Sequence, residues 1–347
     1  MLYTKKTLNL LATVITLLTL GIAAMAAEPV FNTPTTAEAS DIKPGSLLVW
    51  NLYTSSVSGA NSDNTRISIT NANSEKGVSL HLFFVEGATG TVADGFICLS
   101  ASHTVTLFMD QIDPGVTGYL VAVAIDGPSG YAGGNNTGRP ISWNYLIGDE
   151  YVKFGNTYEA NLSAISFAVV GRGDVDVDPE SDPFSSIAEL IFDGKPGHYN
   201  RMPRVVAISN LPSPAESLGG EDPTQIVINR VSGDFTAQAD KIGNVFGYLF
   251  DDMEKALGYT FSVPSPQFRS PITPNFPRTT PRSNIFVPNG RTGWMKLFSP
   301  TLDSPMLGSV IYGKSPNGFR GQGHNMHHLT LVEKSVITIP AYPAGCF

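Results

Sequence analysis

The chain has 347 residues, 42% of them hydrophobic and 15% charged, with a formal charge of −8. Its 34 glycines and 25 prolines exclude a helical bundle or coiled coil, which need long runs of Leu, Glu and Lys. The acidic balance argues against a nucleic-acid partner, because phosphate binding needs clustered Lys and Arg.

Residues 1–26 have the order of a secretory signal peptide. Lys5 and Lys6 form a basic start, Leu8 to Ala24 is mostly apolar, and Ala24-Met25-Ala26 offers a small-residue cleavage pattern. No second stretch approaches the ~20 apolar residues a bilayer needs. Cleavage takes the charge from −8 to −10. The expectation is an exported protein, extracellular, cell-surface or periplasmic, with no remaining membrane span. The cysteines are Cys98 and Cys346. An oxidising compartment allows them to form a disulfide. Alternatively, Cys98 is a small buried hydrophobe and Cys346 a free or intermolecular thiol.

Residues 27–44, rich in Ala, Thr, Pro and Glu, show no apolar period and read as a flexible lead-in. Short alternating segments follow: Thr65–Asn71, Val78–Val85 and Thr104–Met109 each place apolar side chains on one face. Tyr119–Ile125 is apolar on both faces, as a central sandwich strand would be. Strands this short, bounded by Gly, Asn, Asp and Pro, predict an all-β chain of antiparallel Ig-like β-sandwiches with little helix. The best helix candidate is Asp251–Leu257, with Asp251 as N-cap, Glu254 in capping-box position and Gly258 as a stop.

The second half follows the plan of the first. Pro114–Leu120 parallels Asn289–Met295, Ile67–Asn71 parallels Ala207–Asn210, and Val78–Gly87 parallels Thr224–Gly233. Two tandem sandwiches are expected, at 45–170 and 186–347, with Tyr119 and Trp294 in equivalent places. An acidic linker, 171–185, separates them. Residues 264–281 hold six prolines and cannot form a central strand, so they read as an extended strap.

The segments NLYTSS (51–56), TRISITN (65–71), HLFFVEG (81–87), DPGVTGYLVAVAIDG (113–127), NYLIGDEYVKF (144–154), FPRTTPR (276–282), GRTGWMKLF (290–298) and GHNMHHLTL (323–331) together resemble a loosely defined group of uncharacterised secreted bacterial β-sandwich proteins. The resemblance spans most of the mature chain. It implies export and a sandwich build, and it implies no activity and no functional residues.

Two clusters carry candidate chemistry. Asp174, Asp176, Asp178 and Glu180 alternate with other residues, and closely spaced carboxylates suit calcium. The loop has Pro179 where a calcium loop has its sixth-position glycine, and Ser185 in place of its last glutamate, so a solvated acidic linker is the alternative. His324, His327 and His328 could hold a transition metal if helical. Gly321 and Gly323 precede them and a strand pattern follows, which favours a polar turn. No metalloprotease helix, nucleophile elbow, phosphate loop or dinucleotide fingerprint occurs, although a triad assembled from loops stays open.

Charge is segregated. From Ala256 to Leu302 there is no Asp or Glu, while Arg269, Arg278, Arg282, Arg291 and Lys296 are present. Such asymmetry can dock a basic strap on the acidic run, within one chain or between chains. The function expected first is a non-enzymatic surface, adhesion or assembly component that self-associates or meets a cell-surface partner. The second is a glycan-binding module using aromatics such as Trp143 or Trp294. The third is a secreted hydrolase. Aromatics aligned on an open sheet face would favour the second, and a pocket with convergent His and carboxylate the third.

Overall fold

The computed structural model describes residues 38–57, 63–155, 158–171, 185–214, 222–313 and 322–344, all within one compact unit, Asn32–Phe347. The signal segment, the start of the lead-in and most of the acidic linker lie outside the described residues. Among the described residues no helix is long and apolar enough to cross a membrane.

The first half contains β1 (Leu47–Thr54), β2 (Asn64–Asn71), β3 (Val78–Glu86), β4 (Val92–Leu99), β5 (Thr104–Phe108), β6 (Thr117–Ile125), β7 (Leu146–Phe154), β8 (Tyr158–Ser163) and β9 (Ile165–Phe167). A single helical turn, α1 (Met109–Ile112), lies between β5 and β6. Five strands pair in the order β4-β3-β6-β1-β9, and four in the order β5-β2-β7-β8. The alternation seen in the sequence turns Trp50, Leu80, Leu82 and Leu120 of one sheet onto Ile67, Ile69 and Leu146 of the other. Neighbours β1 and β6 lie in one sheet and β2 and β7 in the other, so the connections β1 to β2 and β6 to β7 both cross the sandwich. Strands B–C and E–F of an immunoglobulin-like sandwich do the same.

The second half contains β10 (Ile187–Phe192), β11 (Pro203–Pro212), β12 (Gln225–Asn229), β13 (Gly233–Asp234), β14 (Gln238–Ala239), β15 (Gly243–Asp251), β16 (Ala256–Val263), β17 (Gln267–Pro271), α2 (Ser283–Phe286), β18 (Thr292–Phe298), β19 (Leu307–Ile311), β20 (Gly323–Asn325), β21 (His327–Leu331) and β22 (Ser335–Pro340). Its sandwich pairs β16-β15-β18-β11-β21 with β17-β12-β19-β20 over Val206, Ile208, Ile226, Leu249 and Met295. The proline-rich strap places its strand, β17, at a sheet edge, where missing N–H donors are tolerated.

Strand for strand, the two orders coincide when β1–β9 are matched with β11, β12 and β15–β21. The fine structure coincides too. A bulge interrupts the β1/β6 ladder between Trp50 and Tyr53, and another the β11/β18 ladder between Ile208 and Leu211. Gly118 and Gly293 sit at the same register, and at each an added Cβ would collide with a carbonyl, that of Val85 or of Phe250. Tyr119 and Trp294 follow them. Two of the three sequence parallels fall elsewhere. Ile67–Asn71 is in β2 whereas Ala207–Asn210 is in β11, the partner of β1. Val78–Gly87 is in β3, whose partner is β15 rather than the β12 segment. Short alternating strands resemble one another anywhere in a sandwich, whereas the glycine is tied to one close approach.

Asp251–Leu257 is not a helix. Asp251 ends β15, and its Oδ1 accepts from the N–H groups of Met253 and Lys255, which makes a turn between β15 and β16. An Asp that can cap a helix can equally close a turn, and the paired strands on either side decide the outcome.

A fifth sheet, β10-β22-β13-β14, covers the outer face of the first sandwich. Leu190, Phe192, Phe235, Ile337 and Ile339 pack there on Leu47, Val49, Phe83, Val85, Tyr119 and Val121. The halves also meet at Leu52, Val152, Phe154, Leu162, Val227 and Ile311. Beside this cluster lies a buried amide network. Asn51 Nδ2 donates to Ser309 Oγ (2.9 Å) and Asn325 Oδ1 (3.0 Å), Asn229 Nδ2 donates to Asn51 O (2.8 Å), and Gln267 Nε2 donates to Asn229 Oδ1 and to Gly118 O (both 2.9 Å). Residues 38–44 of the lead-in run beside β9, with Ser40 and Ser166 exchanging backbone hydrogen bonds of 3.0 and 2.7 Å.

Candidate functional site

The matched registers expose a difference between the halves. In the first, Val85 faces Tyr119, Phe83 faces Val121 and His81 faces Val123 across β3 and β6, all under the covering sheet. The same positions in the second are Phe250 facing Trp294, Tyr248 facing Lys296, and Phe246 facing Phe298 across β15 and β18. These six side chains are partly exposed, while the alternate positions Val245, Leu249, Met295 and Leu297 are buried in the core.

The rings form a continuous ridge. Phe250 and Trp294 stack at 4.0 Å with planes 4° apart, and Tyr248 and Phe246 each approach Phe298, at 6.3 and 5.5 Å. Lys296 Nζ lies 5.3 Å from the Tyr248 ring and 5.5 Å from that of Phe250, within cation–π range. Next to the ridge, β16 presents Ala256, Gly258 and Thr260, small, exposed, and opposite Phe250, Tyr248 and Phe246. The result is a shallow shelf with an aromatic wall and one cation.

Of the aromatics picked from the sequence, Trp294 belongs to this ridge. Trp143 does not: it is wholly buried, its indole N–H donating to Asn71 Oδ1 at 3.2 Å. Phe246, Tyr248, Phe250 and Phe298 were missed. Their signal was present in Val245–Phe250, where aromatics take one parity and Val, Gly and Leu the other.

His324 and His327 approach to 5.9 Å between ring centres and line a cavity of about 610 Å³ with Asp41, Ser209, Asn325 and His328. Each is already engaged: His324 Nδ1 with Asn325 O at 2.8 Å, His324 Nε2 with Tyr312 OH at 3.1 Å, and His327 Nε2 with Ser209 Oγ at 3.1 Å. His328 is adjacent to His327 in β21, so its side chain takes the other face. Its Nε2 is buried without a hydrogen bond, and burial pulls its pKa down to about 4. Among the described residues no three His, Cys, Asp or Glu side chains group as a metal site. Asp174, Asp176, Asp178 and Glu180 lie outside the described residues. Cys98, in β4, is disulfide-bonded, and Cys346 lies outside the described residues.

No family model matches the chain, and no curated protein does. Among solved structures, one from Parabacteroides distasonis, described as a "putative secreted protein", is 10% identical, with 86% of this chain and 91% of that chain covered. The TM-score is 0.16, a level at which the likeness carries no argument.

Proposed function

We propose that this is an exported, non-enzymatic assembly or adhesion component that docks through the open aromatic face of its second sandwich. One observation carries this: matched faces of two sandwiches of the same strand order are both apolar, and among the described residues only one has a covering sheet. Five aromatics on one face far exceed the scattered apolar residues of an ordinary surface, and such patches mark interaction sites. The occupant of the matched face is a β-layer of this same chain, which favours a second copy of the protein as partner. Lys296, at the position of buried Val121, adds attraction for a chain whose net charge is negative. Glycan binding on the same shelf is the second reading, favoured by the small residues of β16 beside the Trp294 ridge.

Of the three tryptophans, Trp50 and Trp143 are wholly buried, so quenching by acrylamide reports on Trp294. Dilution of the mature protein should raise quenching as copies separate, in step with the mass seen by light scattering, and Phe250→Ser should abolish both effects. Quenching lowered instead by added oligosaccharide would select the glycan reading. A monomer with constant quenching under both treatments overturns the proposal.

A further inference from the structure

A second cleft, about 570 Å³, opens at the loop between β17 and α2, lined by Pro274, Asn275, Arg278, Thr279, Thr280 and Arg282. Both arginines are exposed, and neither guanidinium forms an ion pair among the described residues. The neighbouring cations are otherwise occupied: Arg291 pairs with Asp252 at 2.9 Å, and Arg269 lies over the Phe154 ring at 5.1 Å. Thr279 is 8% exposed, and its Oγ1 is buried with no hydrogen-bond partner. A buried hydroxyl left unpaired costs free energy, and a rotation of the Thr279 side chain, which lines the cleft, would let it pair with a ligand oxygen.

The cleft is preformed. Thr273 and Phe276 exchange backbone hydrogen bonds of 2.9 and 3.0 Å, Ser283 Oγ donates to Thr273 O at 2.9 Å, and Phe276 packs on Phe261 and Phe268. Little ordering is therefore needed on binding.

We infer that this cleft binds the carboxylate or sulfate group of an acidic saccharide. Two guanidiniums in an acid-free stretch suit an oxyanion, which each can grip through two parallel N–H bonds. Thr279, Thr280 and Asn275 supply hydroxyl and amide groups for sugar hydroxyls. The volume lies in the range of small-molecule sites, well beyond the needs of a bare ion. The inference is independent of the aromatic face.

The test is calorimetric titration of the mature protein with a hexuronate disaccharide, a sulfated disaccharide and inorganic phosphate. The expected result is saturable binding of at least one disaccharide, weakened by salt, and weakened tenfold or more by Arg278→Gln, by Arg282→Gln and by Thr279→Val. Both arginines are exposed, so their variants should melt as the parent does, and circular dichroism checks this. Binding of phosphate alone, no binding at all, or undiminished binding by both arginine variants would overturn the inference. Salt-reversible self-association lost in those variants, without saccharide binding, would assign the arginines to a protein contact instead.

Discussion

Glu150 offers a sharp measurement. It lies on β7 opposite Ile67 and Leu162 and is 1% exposed. The N–H of Leu52, within the β1 bulge, donates to its carboxyl, while Oε2 has no hydrogen bond. Burial pushes the carboxyl well above its ordinary 4.5. The folded protein therefore holds a proton that the unfolded chain releases above that pH. Each pH unit above 4.5 costs about 1.4 kcal/mol for as long as the proton is held, a ceiling of about 3 kcal/mol at pH 7. The stability is full below pH 4.5 and is lost as pH rises towards the folded pKa. Glu150→Gln keeps an oxygen for Leu52 and has no proton to lose. Its buried NH₂ carries a penalty of about 1–3 kcal/mol, but that penalty does not vary with pH. The quantity to measure is thus the difference between parent and variant in urea unfolding, at pH 4.5 and again at pH 7. Between the two it should move in the variant's favour by up to about 3 kcal/mol. A difference constant to within about 0.5 kcal/mol would refute the reasoning, since every other titrating group is common to both proteins.

His328 runs the other way: with its pKa down at about 4 from 6.5, its contribution is intact above pH 6.5 and is lost as pH falls through 4, so His328→Leu should flatten the acid limb of a melting-temperature profile. Asn51→Ala removes the Nδ2 bonds to Ser309 Oγ and Asn325 Oδ1 and empties the centre of the buried network, and should cost about 2–3 kcal/mol, with tryptophan fluorescence and far-ultraviolet dichroism shifting together in one urea transition. Peptide mapping without reductant should recover Cys98 joined to Cys346, and finding both as free thiols would exclude the pair.

What could be read ahead of the structure follows from the range of the forces involved. Alternation in Val78–Val85 and Tyr119–Ile125 is local, and it placed those strands and their inner faces. Gly118 and Gly293 were legible because a close approach tolerates no side chain, and so they marked equivalent positions. Asp251 was misleading because the same carboxylate can start a helix or close a hairpin, and only the pairing of β15 with β16 decides. The aromatic face was half legible. Its parity stands in the sequence, but its openness depends on where β10 and β22 lie, and both pack on the other sandwich. The Arg278 cleft drew notice only as charge, since the buried Thr279 hydroxyl has no sequence signature.

The paired bulges differ in a way that bears on how many sandwiches can be strung together. At β1 the bulge carries Asn51 and Leu52, both buried against the second half; at β11 the same two positions are Ser209 and Asn210, both exposed. The first sandwich thus ends in an adhesive tip and the second in a wettable one, as the terminal unit of a repeat array must. An Asn210→Leu change would recreate at the far end the apolar contact that joins the halves. With growth in that direction closed by two side chains, the assembly proposed above would have to add copies along the broad aromatic flank.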